Sequence, residues 1–416
     1  MFKIGYDKRE IEFFINEKNF LGEILPNRME TGLTGEAEVK RALENPTGTK
    51  RLKDIARPSE SVVIITSDIT RPMPSRTVLP LVIEELKLGG VEEKDITIVL
   101  ALGSHRKHKS EEVRYLVGEE VYSRIKCVDS DPDNCKHLGT CNNGTPVDVF
   151  KTVAEADRII CLGNIEYHYF AGYSGGAKAI MPGVSTREAI QANHSNMVNP
   201  RAKAGSIEDN PVRQDIDQVG EFITIDFILN VVLDSKKNII RAVAGHYIKA
   251  HREGCAFLDN AYKARIQQKA DIVITTPGGY PKDINLYQAQ KALDNAKHAV
   301  KDGGIVILAA SCKEGLGEEV FQQWLLEAEK PEDLIERIKR KFELGGHKAA
   351  AIAMVMQGAK IYLVSDLEAD FVRKLFMVPF NDIQKAVDAA LSEQGENAKV
   401  LLMPSGGSTL PVFELG

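Results

Sequence analysis

From residue 60 onward, short β-branched apolar runs alternate with longer stretches whose apolar residues recur at helical spacing. ESVVIITSD, DITIVLALG and DRIICLGN predict strands. VLPLVIEELKLGG, EEVRYLVGEE and STREAIQANH, lying after each in turn, predict helices. A second cycle begins near residue 271, with DIVITTPGG, GGIVILAAS, KIYLVSD and AKVLLMP as strands and NLYQAQKALDNAKHAV and FNDIQKAVDAALSEQ as helices. This rhythm is that of parallel strands joined by crossover helices. The expectation is an α/β chain of two domains, each a largely parallel sheet with flanking helices. The polar stretch AYKARIQQKA, read as helical, marks the boundary: residues 1–265 form the first domain and 271–416 the second, with the last strand free to return to the first.

Length agrees, because 416 residues with 43% apolar and 27% charged side chains exceed one ordinary core and suit two. The formal charge of −6 is small, and basic residues are scattered rather than striped with aromatics, which argues against nucleic acid as a partner. The opening MFKIGYDKREIEFFI alternates apolar and charged residues and reads as a first strand rather than a signal peptide. No apolar run approaches the roughly 20 residues that span a bilayer, so no membrane role and a cytoplasmic location are expected. Six cysteines lie far apart without a CxxC pair, which disfavours a disulfide framework or a structural zinc site.

Ligands of open α/β sheets bind beyond the carboxyl ends of the strands, so the residues after each strand are the place to search. VVIIT runs into Asp68 and Arg71, ITIVLAL into His105 and His108, RIICLGN into His168 and Lys178, and IVITT into Tyr287, Gln288 and Lys291. Each has a plain alternative. Asp68 and Arg71 could form a local ion pair across a turn, or Arg71 could grip a carboxylate while Asp68 orients an imidazole. His105 and His108 are spaced for a metal pair, but with Arg106 and Lys109 they read first as a wet, charged loop. His194 ends the helical run AIQANHSNM, where it could complement the helix C-terminus or bind a metal. Tyr287 and Lys291 share a helix face that could simply be an amphipathic surface. His137, His246, His251 and His298 read as structural or surface residues.

The densest string is HYFAGYSGGAKAIMPG. Gly172, Gly175 and Gly176 would let the backbone approach a phosphate or a flat cofactor, with Lys178 close behind. It is not a Walker A loop, since Ala177 precedes the lysine and no Ser or Thr follows it. A strand-to-helix turn with a solvated lysine is the alternative.

Taken together, SDITRP, ALGSHR, HYFAGYSGGAK, ANHS and GGYPKDINLYQAQK resemble, in order and spacing, the nickel-dependent lactate racemases and their 2-hydroxy acid racemase relatives, along nearly the whole chain. The resemblance implies a nickel pincer nucleotide, a pyridinium thioamide/thiocarboxylate mononucleotide. It would be covalently carried on Lys178, with His194 as the protein ligand of nickel and with contacts from Asp68, Arg71, Gly175 and Gly176. It implies His105 and His168 as paired acid/base residues, and substrate contacts from Arg71, Tyr287, Gln288 and Lys291. The partners implied are a small 2-hydroxy acid, with lactate the default, and proteins that build the cofactor and insert nickel.

The chemistry is coherent with those roles. Removing the α-proton of a 2-hydroxy acid would place a carbanion beside a carboxylate, whereas removing hydride yields a flat keto acid. Two imidazoles can handle the hydroxyl proton, but a cofactor must take the hydride. One segment departs from the family pattern: near GGHKAAAIA a tryptophan is expected, but His347 stands there and the sole tryptophan is Trp324. A polar His347 would favour a longer or more oxygenated acid. Two rival readings are a zinc hydrolase built on His105, His168 and His194, and a non-catalytic nucleotide-binding protein using only the glycine-rich loop.

Overall fold

The computed structural model describes residues 1–27, 32–234 and 236–413. The chain divides into two compact units, residues 29–259 and residues 1–28 with 260–416.

In the unit of residues 29–259, six strands form one sheet. Counting its strands along the chain, Val62–Ser67, Ile96–Ala101, Lys126–Asp129, Arg158–Asn164 and Phe227–Leu233 stand in the order 3-2-1-4-5 and run parallel. Ile239–Gly245 closes the edge antiparallel to Phe227–Leu233. The first and fourth strands are buried almost throughout, as β-branched runs covered on both faces should be. Helix Ser75–Leu88 packs Val78, Leu79, Val82 and Leu86 into the core beneath Ile64 and Ile98. The stretch read as one helix, EEVRYLVGEE, is two, Ser110–Val117 and Glu119–Arg124, because Gly118 adopts φ +86° between them.

The other unit holds a second six-stranded sheet, wholly parallel, in the order Val378–Phe380, Ala359–Val364, Val300–Ala309, Ala270–Thr275, Val400–Met403, Phe20–Glu23. Residues 1–28 therefore differ from the expected grouping within 1–265. Phe20–Glu23 pairs with Val400–Met403, and MFKIGYDKREIEFFI is not one strand but the hairpin Phe2–Tyr6/Arg9–Phe13. Ile4, Tyr6 and Phe13 of that hairpin join the core of the sheet at 270–403. AYKARIQQKA is likewise not a helix of its own. Helix Lys249–Tyr262 ends inside it, and Lys263–Ile266 pairs with the terminal strand Leu410–Phe413. All six cysteines are free thiols. Among the described residues, no helix is long and apolar enough to cross a membrane.

Candidate functional site

In the sheet of residues 29–259 the strand order reverses between Val62–Ser67 and Arg158–Asn164. At such a point the connections leave in opposite directions, and a crevice opens beyond the strand ends. Asp68 and Arg71 follow the first of these strands, His168 and Lys178 follow the second, and His105 follows the neighbouring Ile96–Ala101.

Asp68 is 3% exposed and accepts a hydrogen bond from His105 Nδ1 at 2.9 Å. Thr70 Oγ1 donates to the other carboxylate oxygen at 3.1 Å, and the turn closes through the Arg71 N–H on the Asp68 carbonyl at 3.2 Å. Burial alone would raise the Asp68 carboxyl. The His105 hydrogen bond and charge, with Arg71 nearby, outweigh it and hold the carboxyl below its ordinary value. Asp68 is thus bonded to an imidazole and not ion-paired with Arg71. The exposed Arg71 guanidinium makes no ion pair with a described residue, yet its charge is felt by Asp68, His168 and Lys178 alike.

His168 lies in the two-residue strand Tyr167–His168, paired with Gly172–Tyr173. The Ala171 N–H donates to its Nδ1 at 3.3 Å, and Phe170 meets its ring edge-on at 4.5 Å and the His194 ring at 4.9 Å. Burial, and then the charges of Lys178, Arg71, His194 and Arg213, push His168 well below the usual histidine value. Lys178 sits in the short 3-10 turn Gly176–Ala179. Burial, Arg213 and Arg71 depress it well below the usual lysine value, with Glu166 opposing. It makes no ion pair or hydrogen bond through its side chain among the described residues.

The glycines before Lys178 serve the protein's own packing. A Cβ on Gly175 would stand 2.7 Å from Asn230 Oδ1, and one on Gly176 would stand 3.0 Å from the His251 ring. The Gly176 N–H donates to Asn230 Oδ1 at 2.7 Å and is spent within the protein. His194 is 7% exposed in the last turn of helix Arg187–Ser195. Its Nδ1 contacts Asn193 Oδ1 at 3.1 Å, and Asn193 Nδ2 donates to the Val212 carbonyl at 3.1 Å. That bond fixes the amide's orientation, which makes His194 Nδ1 the donor and leaves the lone pair on Nε2.

Arg213, which no sequence motif marks, is fully buried. It donates to the Ala171 and Tyr173 carbonyls and pairs with Asp217 at 3.5 Å. Tyr167 and Tyr173 both donate to Asp259 Oδ1, at 2.9 and 2.8 Å. His251, read as structural or surface, is wholly buried and donates from Nε2 to the Ser174 carbonyl at 2.8 Å. These bonds clamp the segment that carries His168 and Lys178.

Tyr287, Gln288 and Lys291 belong to the other unit, on helix Leu286–Ala296 after the strand Ala270–Thr275. Asn285 caps the helix by accepting the Gln288 N–H at 3.0 Å. Gln288 and Lys291 are exposed, whereas the Tyr287 ring carries Lys348 Nζ 3.6 Å from its centroid and meets Phe321 edge-on at 5.5 Å. His347 is 8% exposed, with its Nδ1 accepting the Gly345 N–H at 3.0 Å and its ring beside Phe342. Trp324 is buried and donates to Glu343 at 3.0 Å.

Residues 6–205 match the lactate racemase N-terminal domain and residues 266–410 the lactate racemase C-terminal domain. The chain is 37% identical to a lactate racemase of Thermoanaerobacterium thermosaccharolyticum, over 98% of each, and 32% identical to one of Lactiplantibacillus plantarum, over 97% of each. The structure of the T. thermosaccharolyticum lactate racemase apoprotein superposes with a TM-score of 0.90 over 98% of this chain and 99% of that one. A Thermotoga maritima protein, 19% identical, shares the fold with a TM-score of 0.65 over 92% of this chain and 100% of its own. With both domains matched and identity above 30% along nearly its full length, the chain belongs to the lactate racemase family, a family of isomerases.

Proposed function

We propose that this protein interconverts the enantiomers of a small 2-hydroxy acid, lactate first among them, at the strand ends of residues 29–259. The observation that carries the reading is the common field of Arg71. Its guanidinium makes no ion pair with a described residue, while its charge bears on the Asp68–His105 pair, on His168 and on Lys178. A carboxylate substrate would supply the missing anion, held by the planar fork with its hydroxyl beside the imidazoles.

The residues present suit a nickel pincer nucleotide. Lys178, depressed by burial and by Arg213 and Arg71, is an amine prepared to be acylated rather than a solvated cation. His194, buried and with its Nδ1 on Asn193 Oδ1, would be the protein's nitrogen ligand for nickel. When bound, the nucleotide supplies the hydride acceptor that no side chain can provide.

The two imidazoles play unequal parts. With its Nδ1–H given to Asp68, His105 holds its lone pair on Nε2, the atom that takes the hydroxyl proton, and Asp68 faces the imidazolium so formed. His168 accepts the Ala171 N–H at Nδ1, so its neutral ring carries a proton on Nε2 and meets the substrate oxygen as a donor. Attachment at Lys178 removes one of the charges that oppose protonation of His168 and prepares it to act as an acid in turn. Gln288 and Lys291, exposed on their helix, are assigned further substrate contacts on the motif GGYPKDINLYQAQK, with Tyr287. The cofactor-building and nickel-inserting partners, and a cytoplasmic setting, belong to the same reading.

Lactate is preferred because both relatives bear that name and because His347 is engaged internally, which removes the reason to favour a longer acid. The zinc hydrolase reading lacks support. It needs three converging donors, and among the described residues no group of three His, Cys, Asp or Glu is placed to hold a metal. A passive nucleotide-binding role leaves the Asp68–His105 pair without a task. Chiral chromatography of L- and D-lactate with cofactor-loaded protein tests the proposal. Wild type should racemise either enantiomer, and His105→Ala and His168→Ala should each lose about 10²-fold or more in kcat. Undiminished turnover by the double variant would overturn the assignment.

A further inference from the structure

The loop that delivers His105 contains a second imidazole. The sequence reads His108 as part of a wet, charged loop, but its side chain is 1% exposed and every polar atom of it is used. Nδ1 donates to Asp129 Oδ1 at 2.6 Å, while the His108 backbone N–H donates to Asp129 Oδ2 at 2.8 Å. One carboxylate therefore holds both the ring and the chain, so the ring cannot turn without breaking one bond. Nε2 is left to accept the Ile69 N–H at 3.1 Å.

Ile69 is the neighbour of Asp68. The loops after Val62–Ser67 and Ile96–Ala101 are thus fastened at two adjacent points, by Asp68 to His105 and by Ile69 to His108, and Asp129, the last residue of Lys126–Asp129, anchors the second point. The same carboxylate–imidazole unit occurs twice across these loops. In one copy Nε2 makes no hydrogen bond with a described residue, and in the other it is spent on backbone. Two fastenings fix both the distance and the rotation of one loop against the other, where one would leave a hinge. Geometry at this level decides rate, since a displacement of about 1 Å at a reacting group can cost on the order of 10²-fold.

We propose that His108 is a positioning residue, which holds the Asp68–His105 pair in register by accepting the Ile69 N–H. The proposal rests on the reading of His105 as a proton-transfer residue. Ile69 is 36% exposed, so its N–H can turn to water when His108 is lost, and the fold is expected to survive.

Asparagine and glutamine divide the two functions of the ring. Asn at 108 can keep a donor where Nδ1 was, toward Asp129, but has nothing to reach Ile69. Gln can place an acceptor where Nε2 was. His108→Asn, His108→Gln, His108→Ala and His105→Ala are compared as cofactor-loaded enzymes, with the mass of the Lys178 peptide confirming equal loading and thermal unfolding confirming the fold. The expected result is that His108→Asn and His108→Ala lose about 10-fold or more in kcat with KM within about 2-fold, while His108→Gln recovers most of the rate. Wild-type kcat in His108→Asn, or equal losses in the Asn and Gln variants, would overturn the positioning role while His105→Ala remained inactive. Full activity of His105→Ala would instead overturn the acid/base reading, and this proposal with it. Should His108→Ala fail to fold, the Asn and Gln pair decides.

Discussion

Replacing Asp68 with Asn removes one charge and almost no volume from a buried position. The carboxylate lies 2.9 Å from His105 Nδ1, so when His105 becomes an imidazolium the charge centres are about 4 Å apart. At an effective dielectric of about 20 that attraction is about 4 kcal/mol. His105 is 24% exposed in its side chain, and solvent screening reduces the figure to about 2–3 kcal/mol. On the role proposed for His105 the positive charge develops only in the transition state, so the loss falls on kcat. Asp68→Asn should therefore lower kcat by about 10²-fold and change KM little. The assay is initial-rate racemisation followed by chiral chromatography, on enzyme whose Lys178 peptide shows wild-type loading. A variant with wild-type kcat, or one whose defect lies wholly in KM, would refute the claim that Asp68 acts through the charge on His105.

Other consequences follow from the charges buried around Lys178. An unfolded lysine keeps its proton to about pH 10.4, whereas the folded Lys178 is depressed by burial, Arg213 and Arg71, so at neutral pH it costs stability. Lys178→Met should raise the melting temperature of the unloaded protein by on the order of 2 °C and abolish racemisation. The same substitution should raise the pKa of His168 in an NMR titration. His168 and His251 are both pushed well below the histidine value, the first by burial and then Lys178, the second by burial and then Arg213. The unfolded chain binds those protons first, so their stabilisation is complete above about pH 6.5 and is lost as pH falls toward the folded values, at up to about 1.4 kcal/mol per pH unit for each. Urea midpoints measured from pH 7.5 down to 5.5 should fall, and His251→Asn should flatten the slope. Arg213→Met leaves the buried Ala171 and Tyr173 carbonyls without their donor, while Arg252 still pairs with Asp217, and should destabilise the protein by about 3 kcal/mol in urea unfolding.

The strands and helices flanking the site were readable because their signal is local. VVIITS and RIICLGN are continuous β-branched runs, and Thr186 caps the helix that carries His194. Partners distant in sequence were not readable. The pairing of Phe20–Glu23 with Val400–Met403 joins segments almost a full chain apart, and nothing in either names the other. The same limit explains His108, whose burial depends on Asp129, and Arg213, an arginine on a polar helix whose acceptors are backbone carbonyls and therefore carry no side-chain signature. The glycines before Lys178 were read as room for a phosphate or a flat cofactor, and the neighbours that Gly175 and Gly176 admit within the protein are Asn230 and His251. Motif spacing reported where chemistry could gather, and the structure added which atoms are already committed.

In the proposed function Lys178 carries the cofactor of a 2-hydroxy acid racemase. That role is tested most directly by the mass of the Lys178 peptide, measured together with metal content, in protein produced alongside the enzymes that make the nickel nucleotide. The expected result is a covalently modified Lys178 and about one nickel per chain, matching the single protein ligand assigned to His194. An unmodified Lys178 with one equivalent of zinc would contradict it.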